Sequence, residues 1–399
     1  MVRRSLALSC AAALCLWLVM MVFAPAAQAA GEEPAAVETA VEAQAASLSL
    51  PCRTAILIDQ DTGTVLYEKN ADQRVPIASI TKVMTLLLTF EAVRAGKFTM
   101  DTLVPVSNHA ASMGGSQVWL EPGEQFTLDE MLRAICVSSA NDAAVAVAEL
   151  VGGSEEAFVA MMNAKAAELG MTDTTFKNAC GLDTEGHLST ARNVAIMSRT
   201  ILTQYPEVLH YSGIWTDSLR NGQTMLVNTN KLLRRYDGIT GLKTGTTGGA
   251  GVCISASATR NGLNLIAVVL GSSSSAERFE AATKLLDYGF ANYEAAVLPD
   301  LSGRPLYLTV TGSADTEIPL DYSALPDRLL VPSGGGASLA AEISLPDNCA
   351  APVSLGDEVG TVTVTSNGET VGSWPIRAAA GAAEMDFDAA VRLMLESLF

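Results

Sequence analysis

Histidine and basic residues are scarce in this sequence. The 399 residues include 3 histidines, and 25 Lys and Arg against 43 Asp and Glu give a formal net charge of −18. The separated positions of His109, His187 and His210 have the spacing of neither a zinc site nor a Ser-His-Asp triad. A chain this acidic repels phosphate backbones, so we expect no nucleic acid partner. A catalytic serine here would need a base other than histidine.

Paired cysteines are also lacking, because no two of the seven are spaced as C-x-x-C. Two of them, Cys10 and Cys15, precede the folded part of the chain, and the odd number that remains leaves at least one thiol unpaired. This spacing fits neither a metal site nor a disulfide scaffold. We therefore predict no metal and no cofactor, and we expect most of the later cysteines to be small buried side chains. They are Cys52, Cys136, Cys180, Cys253 and Cys349.

The amino terminus has the features of an export signal. Arg3 and Arg4 precede an apolar run over residues 6–23, and the Ala27-Gln28-Ala29 sequence then offers a cleavage site. We predict a signal peptide over 1–29 and an extracytoplasmic protein. A retained membrane span is the alternative, because the run is about the minimum length that can cross a bilayer. Residues 30–50 are rich in Ala and Glu and are predicted to be a linker.

Residues 51–295 are predicted to form an α/β domain. Strand-like runs on both sides of Gly63 indicate a hairpin over 54–68, and Asn261-Gly262 between two apolar runs indicates another. Between them, helical periodicity covers 79–95 and an Ala-rich stretch over 128–151, and a further helix is predicted over 276–288. The sheet would thus join strands from both ends of the segment.

Two further units are predicted after this domain. Short strand-like runs separated by Gly-rich turns indicate a small all-β domain over 296–380. Residues 381–399 indicate an amphipathic terminal helix, which is either a membrane-surface anchor or a helix docked on its own domain. Its apolar face would comprise Phe387, Ala390, Val391, Met394, Leu395 and Leu398.

Three short motifs follow one another along the chain: Ser79-Ile80-Thr81-Lys82, Ser139-Ala140-Asn141 and Lys243-Thr244-Gly245. On a helix, residues i and i+3 share a face, so the Lys82 amine can reach the Ser79 hydroxyl and act as its base. Partial burial and a nearby cation such as Lys243 would lower the pKa of Lys82 to suit that task.

The third motif is predicted to open a β-strand whose edge pairs with an extended substrate. Gly241 and Gly245 would leave room for that peptide. The backbone N–H groups of Ser79 and Thr246 would form a two-donor oxyanion hole. Ser139 would relay a proton towards the leaving amine, and Asn141 would hold the lysine and the substrate carbonyl.

With these motifs the chain resembles the D-alanyl-D-alanine carboxypeptidases, the low-molecular-mass penicillin-binding proteins of the bacterial envelope. Residues 76–85, 138–144, 228–233 and 238–245 carry the resemblance, which covers about residues 50–290. It implies a serine β-lactamase and penicillin-binding-protein-like domain, with an antiparallel sheet flanked by helices.

The resemblance also implies an activity, which is removal of the terminal D-alanine from peptidoglycan stem peptides through an acyl-serine that penicillin can also form. Its implied catalytic residues are Ser79, Lys82 and Ser139. Its implied substrate-binding residues are Asn141, Lys243, Thr244, Gly245 and Thr246, with Arg278 as a partner for the peptide carboxylate.

Two residues depart from the family pattern. Cys180 stands where histidine or asparagine is frequent, and Asn193 stands where aspartate is usual. The partners that the resemblance implies are a stem peptide ending in D-Ala-D-Ala and β-lactams. Through the terminal helix it also implies contact with the outer face of the cytoplasmic membrane. Two alternatives stay open, a class A-like β-lactamase and an inert cell-wall binding scaffold. A class A enzyme needs a glutamate that activates the deacylating water, and its usual loop sequence is not evident here.

Overall fold

The computed structural model describes residues 48–396. The predicted signal peptide and nearly all of the predicted linker lie outside these residues. The described strands are β1 Thr54–Asp59, β2 Val65–Lys69, β3 Leu103–Pro105, β4 Gln125–Thr127, β5 Thr216–Leu219, β6 Thr224–Val227, β7 Ile239–Thr247, β8 Gly251–Arg260, β9 Leu263–Ser272, β10 Tyr293–Val297, β11 Tyr307–Thr311, β12 Glu317–Asp321, β13 Arg328–Pro332, β14 Leu339–Ser344, β15 Asn348–Ala350, β16 Glu358–Ser366 and β17 Glu369–Ala378. The described helices are α1 Lys82–Arg94, α2 Asn108–Ala111, α3 Leu128–Val137, α4 Asn141–Gly152, α5 Glu155–Glu168, α6 Ala191–Gln204, α7 Val208–Ser212, α8 Ser275–Asn292 and α9 Phe387–Glu396.

The main sheet has the strand order β2-β1-β9-β8-β7, and every neighbouring pair in it is antiparallel. The early hairpin β1–β2 joins the late strands through β1 and β9, where Ile56 pairs with Val268. The predicted turn between β8 and β9 has positive φ at both Asn261 and Gly262, as a type I′ hairpin requires. The prediction of two hairpins that share one sheet is confirmed, and β7 is left as an edge strand.

Helix α1 lies at the centre of the helical part of the main domain. Its residues from Lys82 to Phe90 are all buried, in the same apolar core that takes in helix α4. A helix that is buried on every side is a core element rather than an amphipathic surface helix. The segment after Ser79 is therefore held rigidly by packing.

The Ala-rich stretch over 128–151 is divided into α3 and α4, which differs from a continuous helical run. Helix α3 begins at a capping box formed by Thr127 and Glu130. The chain leaves the helix at Ser138, and Ser139 adopts φ +60° before α4 begins at Asn141. The break presents the second motif at the junction of two helices.

The carboxy-terminal part of the chain is the predicted small β domain. Its larger sheet has the order β14-β16-β17-β12-β11-β15, and β10 pairs with β13. Val362, Val364 and Ile376 form its buried centre.

Helix α9 ends the described chain. Its Phe387, Val391 and Leu395 side chains are 81%, 39% and 54% exposed. Between residues 48 and 396, none of the helices has the length and apolarity needed to cross a membrane.

Candidate active site

Ser79 and Lys82 lie at the start of α1, where a 3-10 turn over Ala78–Thr81 leads into the helix. Ser79 is partly exposed, whereas Lys82 is fully buried. The Lys82 Nζ donates to Ser79 Oγ at 2.9 Å, to Asn141 Oδ1 at 2.6 Å and to the Cys180 carbonyl at 2.7 Å. When the amine is neutral, two of these contacts keep their protons and the lone pair is available to the serine hydroxyl.

Burial lowers the pKa of Lys82 to about 8, although the Cys180 thiol and the Asp142 carboxylate act in the opposite direction. Burial also lowers the pKa of Lys243 well below its usual range, and the positive charge of Lys82 lowers it further. Of the two causes that the sequence predicts, burial is the one that lowers the pKa of Lys82, and Lys243 is not among the groups that shift it. A substantial fraction of Lys82 is thus neutral near pH 8.

The second motif faces Lys82 from the break between α3 and α4. Lys243 Nζ donates to Ser139 Oγ at 2.7 Å, so the second and third motifs are in direct contact. Asn141 donates from Nδ2 to the Gly114 carbonyl at 2.7 Å while its Oδ1 accepts from Lys82. Its side chain is therefore fixed at both ends.

The third motif lies in the middle of β7 rather than at its start. A Cβ added to Gly245 would be 2.8 Å from the Ser79 backbone nitrogen, and one added to Gly241 would crowd Ser212. The two glycines thus allow β7 to approach other protein atoms, and leaving room for a bound peptide is not their main role. Thr246, the next residue of the edge strand, is exposed.

Arg278 projects from α8 and is 5% exposed, so it is no surface arginine. Its Nη1 donates to the carbonyls of Gly245 and Cys253 at 3.3 and 3.1 Å. Its Nε has no hydrogen-bond partner among the described residues. The guanidinium thus contacts the backbone of the third motif, and its Nε–H group is available to donate a further hydrogen bond.

Comparisons with known proteins identify the family of this chain. Residues 39–274 match the D-alanyl-D-alanine carboxypeptidase family. The chain belongs to this family. Residues 310–382 match the C-terminal domain of penicillin-binding protein 5. The D-alanyl-D-alanine carboxypeptidase DacF of Bacillus subtilis is 42% identical over 365 residues, which cover 90% of this chain and 91% of the relative.

Solved structures of other penicillin-binding proteins share the fold. Penicillin-binding protein 5 from Haemophilus influenzae superposes with a TM-score of 0.75 at 28% identity, over 84% of this chain and 99% of that one. Penicillin-binding protein D2 from Listeria monocytogenes, solved with ampicillin bound, has a TM-score of 0.57 at 33% identity over 61% of this chain and 99% of that one. The predicted penicillin-binding-protein-like α/β domain and small all-β domain are confirmed. The prediction of a serine-type D-Ala-D-Ala carboxypeptidase is also confirmed over the β-lactamase and inert-scaffold alternatives.

Several contacts of this candidate site could not be predicted from the sequence. Thr229 contacts Thr244 at 2.6 Å between hydroxyl oxygens, and Asp142 accepts from the backbone N–H groups of Val118 and Leu120. Cys180 accepts from Lys82 through its backbone carbonyl while its side chain is buried, so this contact does not depend on the departure from the family pattern.

Asn193 and three of the described cysteines are buried. Asn193, the other departure, is buried and donates to Thr174. Of the described cysteines, Cys136, Cys180 and Cys253 are buried, as expected for most of them.

Proposed function

We propose that this enzyme removes the terminal D-alanine of a peptidoglycan stem peptide through an acyl intermediate on Ser79. The observation that carries the proposal is the buried Lys82 amine, 2.9 Å from the Ser79 hydroxyl and with its pKa lowered to about 8. A base with a pKa near the working pH combines a useful neutral fraction with sufficient basicity.

In the acylation step, Ser79 Oγ attacks the carbonyl of the penultimate D-alanine and its proton passes to Lys82. The carbonyl oxygen becomes an oxyanion that accepts from the N–H groups of Ser79 and Thr246. The C–N bond then breaks as the leaving amine takes a proton from Ser139. Ser139 recovers a proton from Lys82, which returns to its neutral form. Lys243, which is 2.7 Å from that hydroxyl, lies next to this proton path.

Deacylation regenerates the serine. Water attacks the acyl carbon with Lys82 again taking the proton, the C–O bond to Ser79 breaks, and the serine oxygen recovers a proton from Lys82. The products are D-alanine and the shortened peptide.

Substrate binding is assigned to the edge of β7 and the groups around it. An extended peptide can pair with the backbone of Thr246, since β7 is the last strand of its sheet. Thr244, with Lys243 and Arg278 behind it, would bind the terminal carboxylate, and the positive charge of the buried arginine supports this role. Asn141 would bind the carbonyl on the acyl side.

Penicillin and other β-lactams would acylate the same serine, since the ampicillin-bound relative has the same fold. Incubation of the purified protein with a fluorescent penicillin, followed by mass spectrometry, tests this assignment with Ser79→Ala as control. Stable label on Ser79 together with D-alanine release from a pentapeptide supports it. Rapid loss of label with penicillin consumption would indicate a β-lactamase, and no label on folded protein an inert scaffold.

Peripheral attachment to the outer face of the cytoplasmic membrane is also proposed, through helix α9. The exposed Phe387, Val391 and Leu395 side chains offer it an apolar contact surface. Co-sedimentation with lipid vesicles tests the idea: the full chain should bind, and a chain ending at residue 386 should not. Equal binding of both chains would contradict the role of α9.

A further inference from the structure

The turn before Ser79 is strained and needs an explanation. Ala78 adopts φ +48°, in the left-handed region that alanine disfavours. Such a conformation persists only where neighbouring groups fix it. The groups that fix it here come from the loop over residues 178–187, which packs against the turn.

Three successive hydrogen bonds lead from this loop to the turn. The backbone N–H of Lys177 donates to His187 Nδ1 at 3.2 Å, so the ring proton is on Nε2. His187 Nε2 is 2.9 Å from Thr81 Oγ1 and donates to it. Thr81 in turn donates its hydroxyl proton to the Ala78 carbonyl at 2.9 Å.

Burial and packing hold the His187 ring in place and keep it neutral. His187 is 4% exposed and packs edge-on against Phe176, with 5.7 Å between ring centroids. Burial lowers the pKa of His187 to about 4, the main effect, with Lys177 lowering it and Asp183 raising it. Gly181 lies so close to the Ala78 carbonyl oxygen that an added Cβ would overlap it.

The Ala78 carbonyl and the Ser79 N–H belong to the same planar peptide group. A hydrogen bond that fixes the direction of the carbonyl therefore also fixes the direction of the N–H. We infer that His187 is a positioning residue that, through Thr81, aims the Ser79 N–H at the oxyanion. This inference rests on the proposed function, in which that N–H is one of two oxyanion donors.

Substitutions that remove the hydrogen-bonding group at each residue test the inference. Thr81→Val removes the hydroxyl, and His187→Leu removes the donor. Each should slow the acylation step by fluorescent penicillin about tenfold or more, since loss of a whole oxyanion donor costs roughly 10²–10³-fold and misalignment costs less. The dissociation constant of the non-covalent penicillin complex should stay the same, because the oxyanion forms only in the reaction.

Conservative variants and a double variant separate positioning from loss of structure. Thr81→Ser and His187→Gln keep the donor and acceptor groups and should retain most of the rate. The double variant Thr81→Val with His187→Leu should be no slower than the slower single variant, because the two residues act in series. Thr89→Val is a matched control on the same helix, since its buried hydroxyl bonds only the Thr85 carbonyl.

The outcomes distinguish this inference from the proposed function. If the wild-type protein takes the label and both single variants acylate at its rate, the positioning role is wrong and the proposed function stands. Equal losses in Thr89→Val and Thr81→Val would also overturn it, because they would report general destabilisation. A folded wild-type protein that takes no label would overturn both.

Discussion

Substitution of Gly245 by alanine tests the oxyanion geometry most directly. The added Cβ would lie 2.8 Å from the Ser79 backbone nitrogen, 3.0 Å from the Ala78 Cβ and 3.1 Å from the Ile77 carbonyl oxygen. Non-bonded heavy atoms prefer a separation of about 3.5–4.0 Å, so β7 and the turn must move apart by roughly half an ångström or more. All three neighbours belong to a tightly held segment and cannot rotate away as a flexible side chain would.

The expected loss of acylation rate depends on how far the two oxyanion donors are displaced. The proposed donors, the N–H groups of Ser79 and Thr246, lie on the two segments that the methyl group separates. An oxyanion needs donors at about 2.7–3.1 Å, so a half-ångström displacement removes most of the contribution of one donor. We expect Gly245→Ala to slow acylation by penicillin roughly 10²-fold, by analogy with deletion of a donor.

The assay is the rate of covalent labelling by fluorescent penicillin at several concentrations, which separates binding from the acylation step. Gly248→Ala is the matched control, since its added Cβ would come no closer than 4.0 Å to the Asp183 carboxylate. Both variants should unfold cooperatively on heating. A rate for Gly245→Ala within about threefold of wild type would refute this account of the oxyanion hole.

Three further outcomes are expected. The acylation rate should rise about tenfold between pH 7 and pH 9, because the neutral fraction of Lys82 rises through its pKa of about 8; a flat profile would argue against Lys82 as base. Lys82→Arg should take no label at any pH in this range, since a guanidinium stays charged; label on folded protein would contradict this role. Asp142→Ala should lower the free energy of unfolding by about 3 kcal/mol, measured by denaturant titration, because the N–H groups of Val118 and Leu120 lose their buried acceptor; a change below about 1 kcal/mol would count against it.

The motifs could be found in the sequence because each is local. Ser79 and Lys82 are three residues apart, and one helical turn brings them together whatever the rest of the chain does. The Asn261-Gly262 turn is similarly local, because positive φ at two successive residues favours these residue types. The hairpins and the serine–lysine contact were therefore predictable without tertiary information.

The break at Ser139 was not predictable in this way. Good helix formers flank it on both sides and the stretch has no proline or glycine, so the Ser, Asn and Asp residues over 138–142 only weaken the helical preference and do not fix a break at Ser139. Tertiary contacts override that preference: Lys243 bonds the Ser139 hydroxyl, and the Ser116 carbonyl accepts from the Asn141 backbone N–H at 2.7 Å. The contact between His187 and Thr81 was not predictable for the same reason, since 106 residues separate them.

The proposed site combines features that each work against stability. Two lysines are buried, and Ala78 and Ser139 adopt φ of +48° and +60° without being glycine. Buried amines and left-handed alanine or serine persist only where the surrounding packing outweighs their cost. The buried helix α1 and the 178–187 loop supply that packing. Some substitutions at the site should therefore raise stability while they abolish turnover, and substitutions in the supporting loop should lower both.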